Sequence, residues 1–212
     1  MTAQRCALSR CAALPAAARW HARARLFFCD PEPVLPWLPE DGLAVDIGCG
    51  YGQFSHWLSC LRPRLQVLGF DRCARRIAAA RLTQTDKVRF REGGFAELSG
   101  LGARAVLAMD VLYLIPKESW PDLFRLCRRA LAPGGVLLIK ETMGRFPWLF
   151  PFVRSQEALA TRVFGIADGT PYQHLPPERV RELLREAGWQ ARTLDAPGPA
   201  HYAQRWHVAQ AP

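Results

Sequence analysis

The chain has 212 residues, half of them apolar, which is enough to bury one sizeable core without cross-links and too few for several domains. Its net charge of +9 rests almost wholly on arginine, since Lys87, Lys117 and Lys140 are the only lysines, and excess Arg and Ala are the ordinary trace of a GC-rich genome. The arginines are dispersed and accompany no recognised nucleic-acid motif, which argues against nucleic-acid binding and leaves open an anionic partner or peripheral contact with an acidic lipid surface. No stretch approaches the apolar length that spans a bilayer.

Seven cysteines (Cys6, Cys11, Cys29, Cys49, Cys60, Cys73 and Cys127) include no C-x-x-C pair, and an odd number leaves one unpaired in any disulfide framework. That pattern points to a reducing cytoplasm and to no structural zinc.

Residues 1–29 hold no acidic residue, a composition shared with transit peptides. The segment "CAALPAAARW" is followed too soon by His21, Arg23 and Arg25 to be a secretory core, so the preferred reading is an N-terminal helix packing near the ligand site. The prolines and acids of "CDPEPVLPWLPEDG" then read as a linker. Residues 1–40 are accordingly a basic helical arm with its linker, and residues 41–212 the main domain.

From Gly42 onward apolar runs alternate with helical patterns. The expected elements are strand Leu43–Ile47, helix Gln53–Leu61, strand Gln66–Phe70 and helix Ala74–Leu82, then a strand near Lys87–Phe90. Strand Ala105–Met109, helix Glu118–Leu131 and strand Val136–Ile139 follow, with "LAPGGVLLIK" closing a helix at a Pro-Gly-Gly turn before an apolar strand. Strand and helix in turn imply an α/β fold built of crossover units around a parallel sheet. After Lys140 the rhythm breaks into an aromatic, proline-punctuated insertion at about residues 142–176. It includes Phe146, Trp148, Phe150, Phe152 and Phe164, and reads either as a lid over an apolar acceptor or as a surface packed on the core or on a homodimer partner. Helix Pro177–Ala187, capped by Gly188, and strands Gln190–Leu194 and Arg205–Ala209 complete the chain.

The stretch "AVDIGCGYGQFSHWL" runs from strand to helix through three glycines. Glycines there let the backbone approach a ligand, and the helix N-terminus offers unpaired amides. The dinucleotide fingerprint G-x-G-x-x-G is missed because Gly52 comes one position early, and no Gly-Lys-Ser/Thr follows as a phosphate-binding loop requires.

The spacing Asp46-x-Gly48-x-Gly50-x-Gly52 resembles motif I of the class I S-adenosylmethionine-dependent methyltransferases. "LQVLGFD" ends in Asp71, where that family places the acid that accepts both ribose hydroxyls, a role suited to an acceptor-only group. "AMDVLYLIP" and "LAPGGVLLIKE" resemble the family's segments at its fourth and fifth strands, so the likeness covers about Gly42 to Glu141 and resumes, more weakly, in the C-terminal helix and strands. It implies a Rossmann-like, doubly wound, seven-stranded sheet, mostly parallel, with Arg205–Ala209 as one antiparallel strand near the C-terminus. The cofactor implied is S-adenosyl-L-methionine, and the residues implied to hold it are Asp46, Gly48, Cys49, Gly50, Tyr51, Gly52, Asp71, Arg72, Gly94, Phe95, Asp110 and Val111. Cys49 is then a spacer rather than a nucleophile, and Tyr51 a cover for the methionine end. One departure stands in "REGGFAEL": Gly94 occupies the place of the family's adenine-binding acid, leaving that role to backbone, to Phe95 or to Glu97.

Methyl transfer needs the reacting atoms held in line and no dedicated catalytic residue. For a hydroxyl acceptor the general-base candidates are His174, Glu141, Tyr113 and, behind them, His201. Each has a plainer alternative: His174 as a helix cap, Glu141 as an ion-pair partner of Lys140 or an arginine, Tyr113 as core packing. No Asn/Asp-Pro-Pro-Tyr follows the fourth strand, which argues against methylation of base amino groups. The expected activity is therefore methyl transfer to a small molecule, at a phenolic, polyketide or lipid-like hydroxyl, and the strand end, aromatic segment and tail resemble a bacterial type from lipid or polyketide pathways. An RNA or protein methyltransferase using the basic arm, and a non-catalytic cofactor-binding or partner protein, are the alternatives.

Overall fold

The computed structural model describes residues 2–29, 31–144, 175–197 and 202–211. Seven strands form one sheet in the order β3-β2-β1-β4-β5-β7-β6: β1 (Asp41–Ile47), β2 (Arg64–Asp71), β3 (Val88–Glu92), β4 (Ala103–Met109), β5 (Leu131–Gly144), β6 (Gln190–Pro197) and β7 (Tyr202–Gln210). β7 runs antiparallel to both β5 and β6, and the other neighbours pair in parallel, as the seven-stranded expectation has it.

Among the described residues six α-helices flank the sheet: α1 (Ala3–Arg10), α2 (Ala16–Phe27), α3 (Gln53–Leu61), α4 (Ala74–Arg81), α5 (Trp120–Ala130) and α6 (Pro177–Glu186). Alternation along the central strands explains the two layers, because successive side chains leave opposite faces of a sheet. On β4, Ala105, Leu107 and Met109 pack with Leu26, Trp57 and Ile77 of α2, α3 and α4. Val106 and Ala108 pack on the other face with Trp120, Phe124, Val180 and Leu184 of α5 and α6. Both faces are buried, which is why these strands read as unbroken apolar runs.

Three expectations need correcting. The Pro-Gly-Gly segment belongs to β5, which begins at Leu131 and carries a register irregularity opposite Ala103 to Ala105. Helix α5 begins at Trp120, after a short 3-10 turn over Lys117–Ser119 that takes up the expected first residues. Cys6 and Cys60 form a disulfide, and Cys11, Cys29, Cys49, Cys73 and Cys127 are in no disulfide; an odd count argues against a full framework and says nothing about one link. That link joins α1 to the end of α3, beside a hydrogen bond from Arg10 Nη1 to Ser59 Oγ of 3.0 Å. With the arm laid over it, α3 is buried from Gln53 through Ser59. Residues 145–174, the greater part of the anticipated lid, lie outside the described residues.

Candidate functional site

The chain passes outward through β1, β2 and β3, then returns to place β4 on the other side of β1. Open sheets of this kind bind ligands at such a reversal, beyond the carboxyl ends of the strands. Those ends carry the glycine turn after Ile47, Asp71 closing β2, Gly93 and Gly94 after β3, Asp110 after β4, and Lys140 with Glu141 on β5.

The glycine turn is fixed by its own backbone. Gly48 and Cys49 N–H groups both donate to the Phe70 carbonyl, at 2.8 and 2.9 Å, and Gly52 N–H donates to the Cys49 carbonyl at 2.9 Å. Gly48, Gly50 and Gly52 have φ of 71°, 58° and 84°, the left-handed region where only glycine sits without strain. A Cβ on Gly48 would meet Val111 Cγ2 at 2.7 Å, and one on Gly52 would overlap the Phe90 ring, so both glycines also serve packing. A Cβ on Gly50 would meet nothing within 4 Å. The turn is thus closed on two sides and open at Gly50, which is the shape a ligand approaching the backbone requires.

Asp71 faces this opening. Its Oδ2 accepts from Gly50 N–H and its Oδ1 from Cys73 N–H, each at 2.9 Å, and Arg76 Nη2 lies 3.2 Å from Oδ1. Two amides fix the carboxylate's orientation, and about four lone-pair sites leave it capacity for a hydroxyl donor. Asp46, buried beneath the turn, accepts from Ser55 Oγ at 2.6 Å. Burial, with Asp71 nearby, pushes its carboxyl up to about 7. Burial also raises the Cys49 thiol well above its usual range, with Asp46 and Asp71 adding to the effect, so the thiol stays protonated and is no nucleophile.

Beyond β3, Arg72, Glu92, Gly93, Gly94, Phe95 and Glu97 line an open cavity of about 360 Å³. Glu97 Oε2 accepts from Gly94 N–H at 2.6 Å, which holds the loop without an acid at position 94. Arg72, Gly94 and Phe95 therefore share one cavity with Glu97.

At the end of β4, Asp110 adopts φ 57°, a strained conformation for a residue with a side chain. Its Oδ2 receives Arg25 Nη2 and Lys140 Nζ, each at 2.7 Å. Arg25 comes from α2, whose His21 ring meets the Tyr51 ring edge-on at 5.5 Å. Burial together with Arg25 and Arg76 lowers His21 to about 4, so it is neutral there. The arm therefore covers the turn, and Tyr51 packs against it.

Of the anticipated bases, the two that the structure describes are buried. Tyr113 and Glu141 are 6% and 2% exposed, and Glu141 Oε2 lies 3.4 Å from His207 Nε2, with no ion pair to Lys140 or an arginine among the described residues. Its Oε1 has no hydrogen-bond partner among the described residues. His174 and His201 lie outside the described residues. Sequence reasoning did not single out Ser55, Arg76, Arg25 or Lys140 as site residues. Ser55 was within reach, standing inside the quoted glycine stretch, whereas nothing along the chain links Arg25 to Asp110.

Comparison with known proteins agrees with this geometry. Residues 19–194 match a family described as "Methyltransferase domain". The chain is 37% identical over 177 residues to a trans-aconitate 2-methyltransferase of Variovorax paradoxus, covering 81% of this chain and 62% of that one. A trans-aconitate 2-methyltransferase of Deinococcus radiodurans is 38% identical over 115 residues, covering 52% and 42% respectively. The chain thus spans about half the length of these curated relatives. Among solved structures, human N-acetylserotonin methyltransferase in complex with S-adenosylmethionine superposes with a TM-score of 0.62 at 19% identity, over 90% of this chain and 53% of that one.

Proposed function

This chain belongs to the methyltransferase domain family, of the class I Rossmann-like kind, and from that premise we propose that it transfers a methyl group from S-adenosylmethionine to an oxygen of a small molecule. The observation that carries this reading is the turn of Gly48, Gly50 and Gly52, open at Gly50 and faced by the Asp71 carboxylate.

S-adenosylmethionine, when bound, supplies an electrophilic methyl group on a sulfonium. Asp71 would accept from the ribose hydroxyls, and the Gly50 backbone would give the nucleoside close approach. Arg72, Gly94, Phe95 and Glu97 would hold the adenine, with Glu97 keeping the loop in shape. Gly48, Cys49, Tyr51, Asp110 and Val111 would hold the methionine end, with Tyr51 and the arm covering it. Asp46 acts below the turn, holding α3 through Ser55. Holding the acceptor in line with the methyl group lowers the barrier by making the transfer effectively unimolecular.

A carboxylate acceptor is favoured over the hydroxyl. Both relatives are named for trans-aconitate, and a carboxylate is already ionised at neutral pH, so it needs no base. The two described base candidates, Glu141 and Tyr113, are buried. A hydroxyl acceptor is the second reading, with His174, Glu141 or Tyr113 as its base.

The test is transfer of labelled methyl by the purified chain to trans-aconitate, phenols, fatty acids and RNA, followed by mild alkali. Carboxylate esters release the label and aryl ethers keep it. Absence of S-adenosylmethionine binding in calorimetry sinks the whole reading, and labelled RNA alone transfers it to the basic-arm alternative.

A further inference from the structure

Helix α2 turns Ala18, Ala22 and Leu26 inward and brings His21 and Arg25 to the site. Its opposite face carries Trp20 and Phe27, which are 75% and 64% exposed. Seven positions apart, they stand two turns along one side of the helix. Arg23 is exposed between them along the same side, and Arg19 flanks it, steadied by Nη1 donating to the Leu14 carbonyl at 3.0 Å. No acidic residue occurs within residues 1–29, so α2 itself carries no carboxylate beside these arginines. Two large aromatics stand in water here beside arginines on the same helix side, a pairing an anionic interface accommodates, with rings at the headgroup level and guanidinium groups at the phosphates.

We propose that the outer face of α2 docks on an anionic lipid surface, with Trp20 and Phe27 entering the headgroup region while Arg23 and Arg19 pair with lipid phosphates. Charge complementarity selects this occupant. A second copy related by a two-fold axis would set these arginines against themselves, with no acid on α2 to meet them. A single nucleic-acid strand tracks a basic groove, whereas this face is one convex helix side of the kind a planar surface meets. Because the same helix carries Arg25 to Asp110, lipid contact and cover of the candidate site belong to one rigid element.

The test is co-sedimentation of the full chain with vesicles of phosphatidylcholine mixed with phosphatidylglycerol, against phosphatidylcholine alone, with and without a single-stranded RNA competitor. Binding to the mixed vesicles is expected to exceed binding to neutral ones by roughly tenfold and to weaken with salt. The double variant Trp20→Ser/Phe27→Ser loses the mixed vesicles, and Arg19→Gln/Arg23→Gln weakens them by roughly tenfold or more. Both variants keep the wild-type thermal midpoint, which excludes unfolding as the cause. The proposal is overturned if the wild-type chain stays in the supernatant, if it binds neutral vesicles equally, or if either double variant sediments like wild type. RNA that displaces the vesicles at stoichiometric amounts overturns it in favour of a nucleic acid.

Discussion

Arg25 Nη2 lies 2.7 Å from Asp110 Oδ2, an ion pair that ties the N-terminal arm to the end of β4 across 85 positions of sequence. Lys140 Nζ approaches the same oxygen at 2.7 Å, so one carboxylate receives two cations from two different elements. Arg25→Ala removes the arm's share and is expected to lower stability by about 1–3 kcal/mol, the range for a charge-assisted hydrogen bond. Asp110→Ala takes an acceptor from both cations at once and is expected to cost more. Urea unfolding of the two single variants and the double variant measures the coupling; additive losses would contradict it.

Asp71→Ala is expected to weaken S-adenosylmethionine binding by roughly a hundredfold, because it removes an acceptor group held by two backbone amides. Asp71→Asn keeps the shape and one acceptor oxygen, so it should fall between. Isothermal calorimetry reads both, and equal affinity for the wild type and Asp71→Ala would remove Asp71 from the cofactor site.

The glycines of the turn divide into packing and approach. Gly52→Ala collides with the Phe90 ring at positive φ and is expected to destabilise by about 2–4 kcal/mol. Gly50→Ala meets open space, so only backbone strain of about 1–2 kcal/mol applies. Gly50→Ala should nonetheless lose cofactor affinity more than its small stability loss accounts for, as thermal melts with and without S-adenosylmethionine would reveal.

Asp46 gives stability a pH dependence whose sign is fixed. Its carboxyl rises from 3.8 to about 7 through burial, so between those values the folded chain keeps a proton that the unfolded chain has released. Its contribution is therefore full below about pH 4 and lost as pH rises through 7. His21 and His56, lowered by burial from 6.5 to about 4, act oppositely: their contribution is present above 6.5 and lost as pH falls toward 4. Asp46→Asn is neutral at every pH. Relative to that variant, the wild-type unfolding free energy should decline by a few kcal/mol between pH 4 and 8, and a flat difference across urea curves would refute the protonated form.

Cys6→Ser should lower the thermal midpoint, relative to the oxidised wild type, by as much as dithiothreitol lowers that of the wild type. Either treatment opens the link spanning 54 positions between α1 and α3 and is expected to cost about 2–4 kcal/mol. A midpoint insensitive to both would show that the arm is held without it.

The sequence alone determined what short-range spacing can carry. Helix α3 begins and ends where the pattern places it, because Gly52 at positive φ stops the strand run and the apolar residues then follow helical spacing. Asp46, the glycines and Asp71 were legible together because strand, turn and next strand end form one local unit whose geometry the backbone imposes. Only the tertiary structure decided which distant groups meet there. Nothing in residues 1–29 says that Arg25 reaches Asp110, that His21 meets Tyr51, or that Cys6 joins Cys60, since these contacts depend on how α1 and α2 cross α3. The same holds for Glu141, whose partner His207 is set by the antiparallel register of β5 and β7 rather than by sequence neighbours. Periodicity fixes which face of an element is apolar; packing fixes what that face touches, and side-chain chemistry at a site is a property of the second.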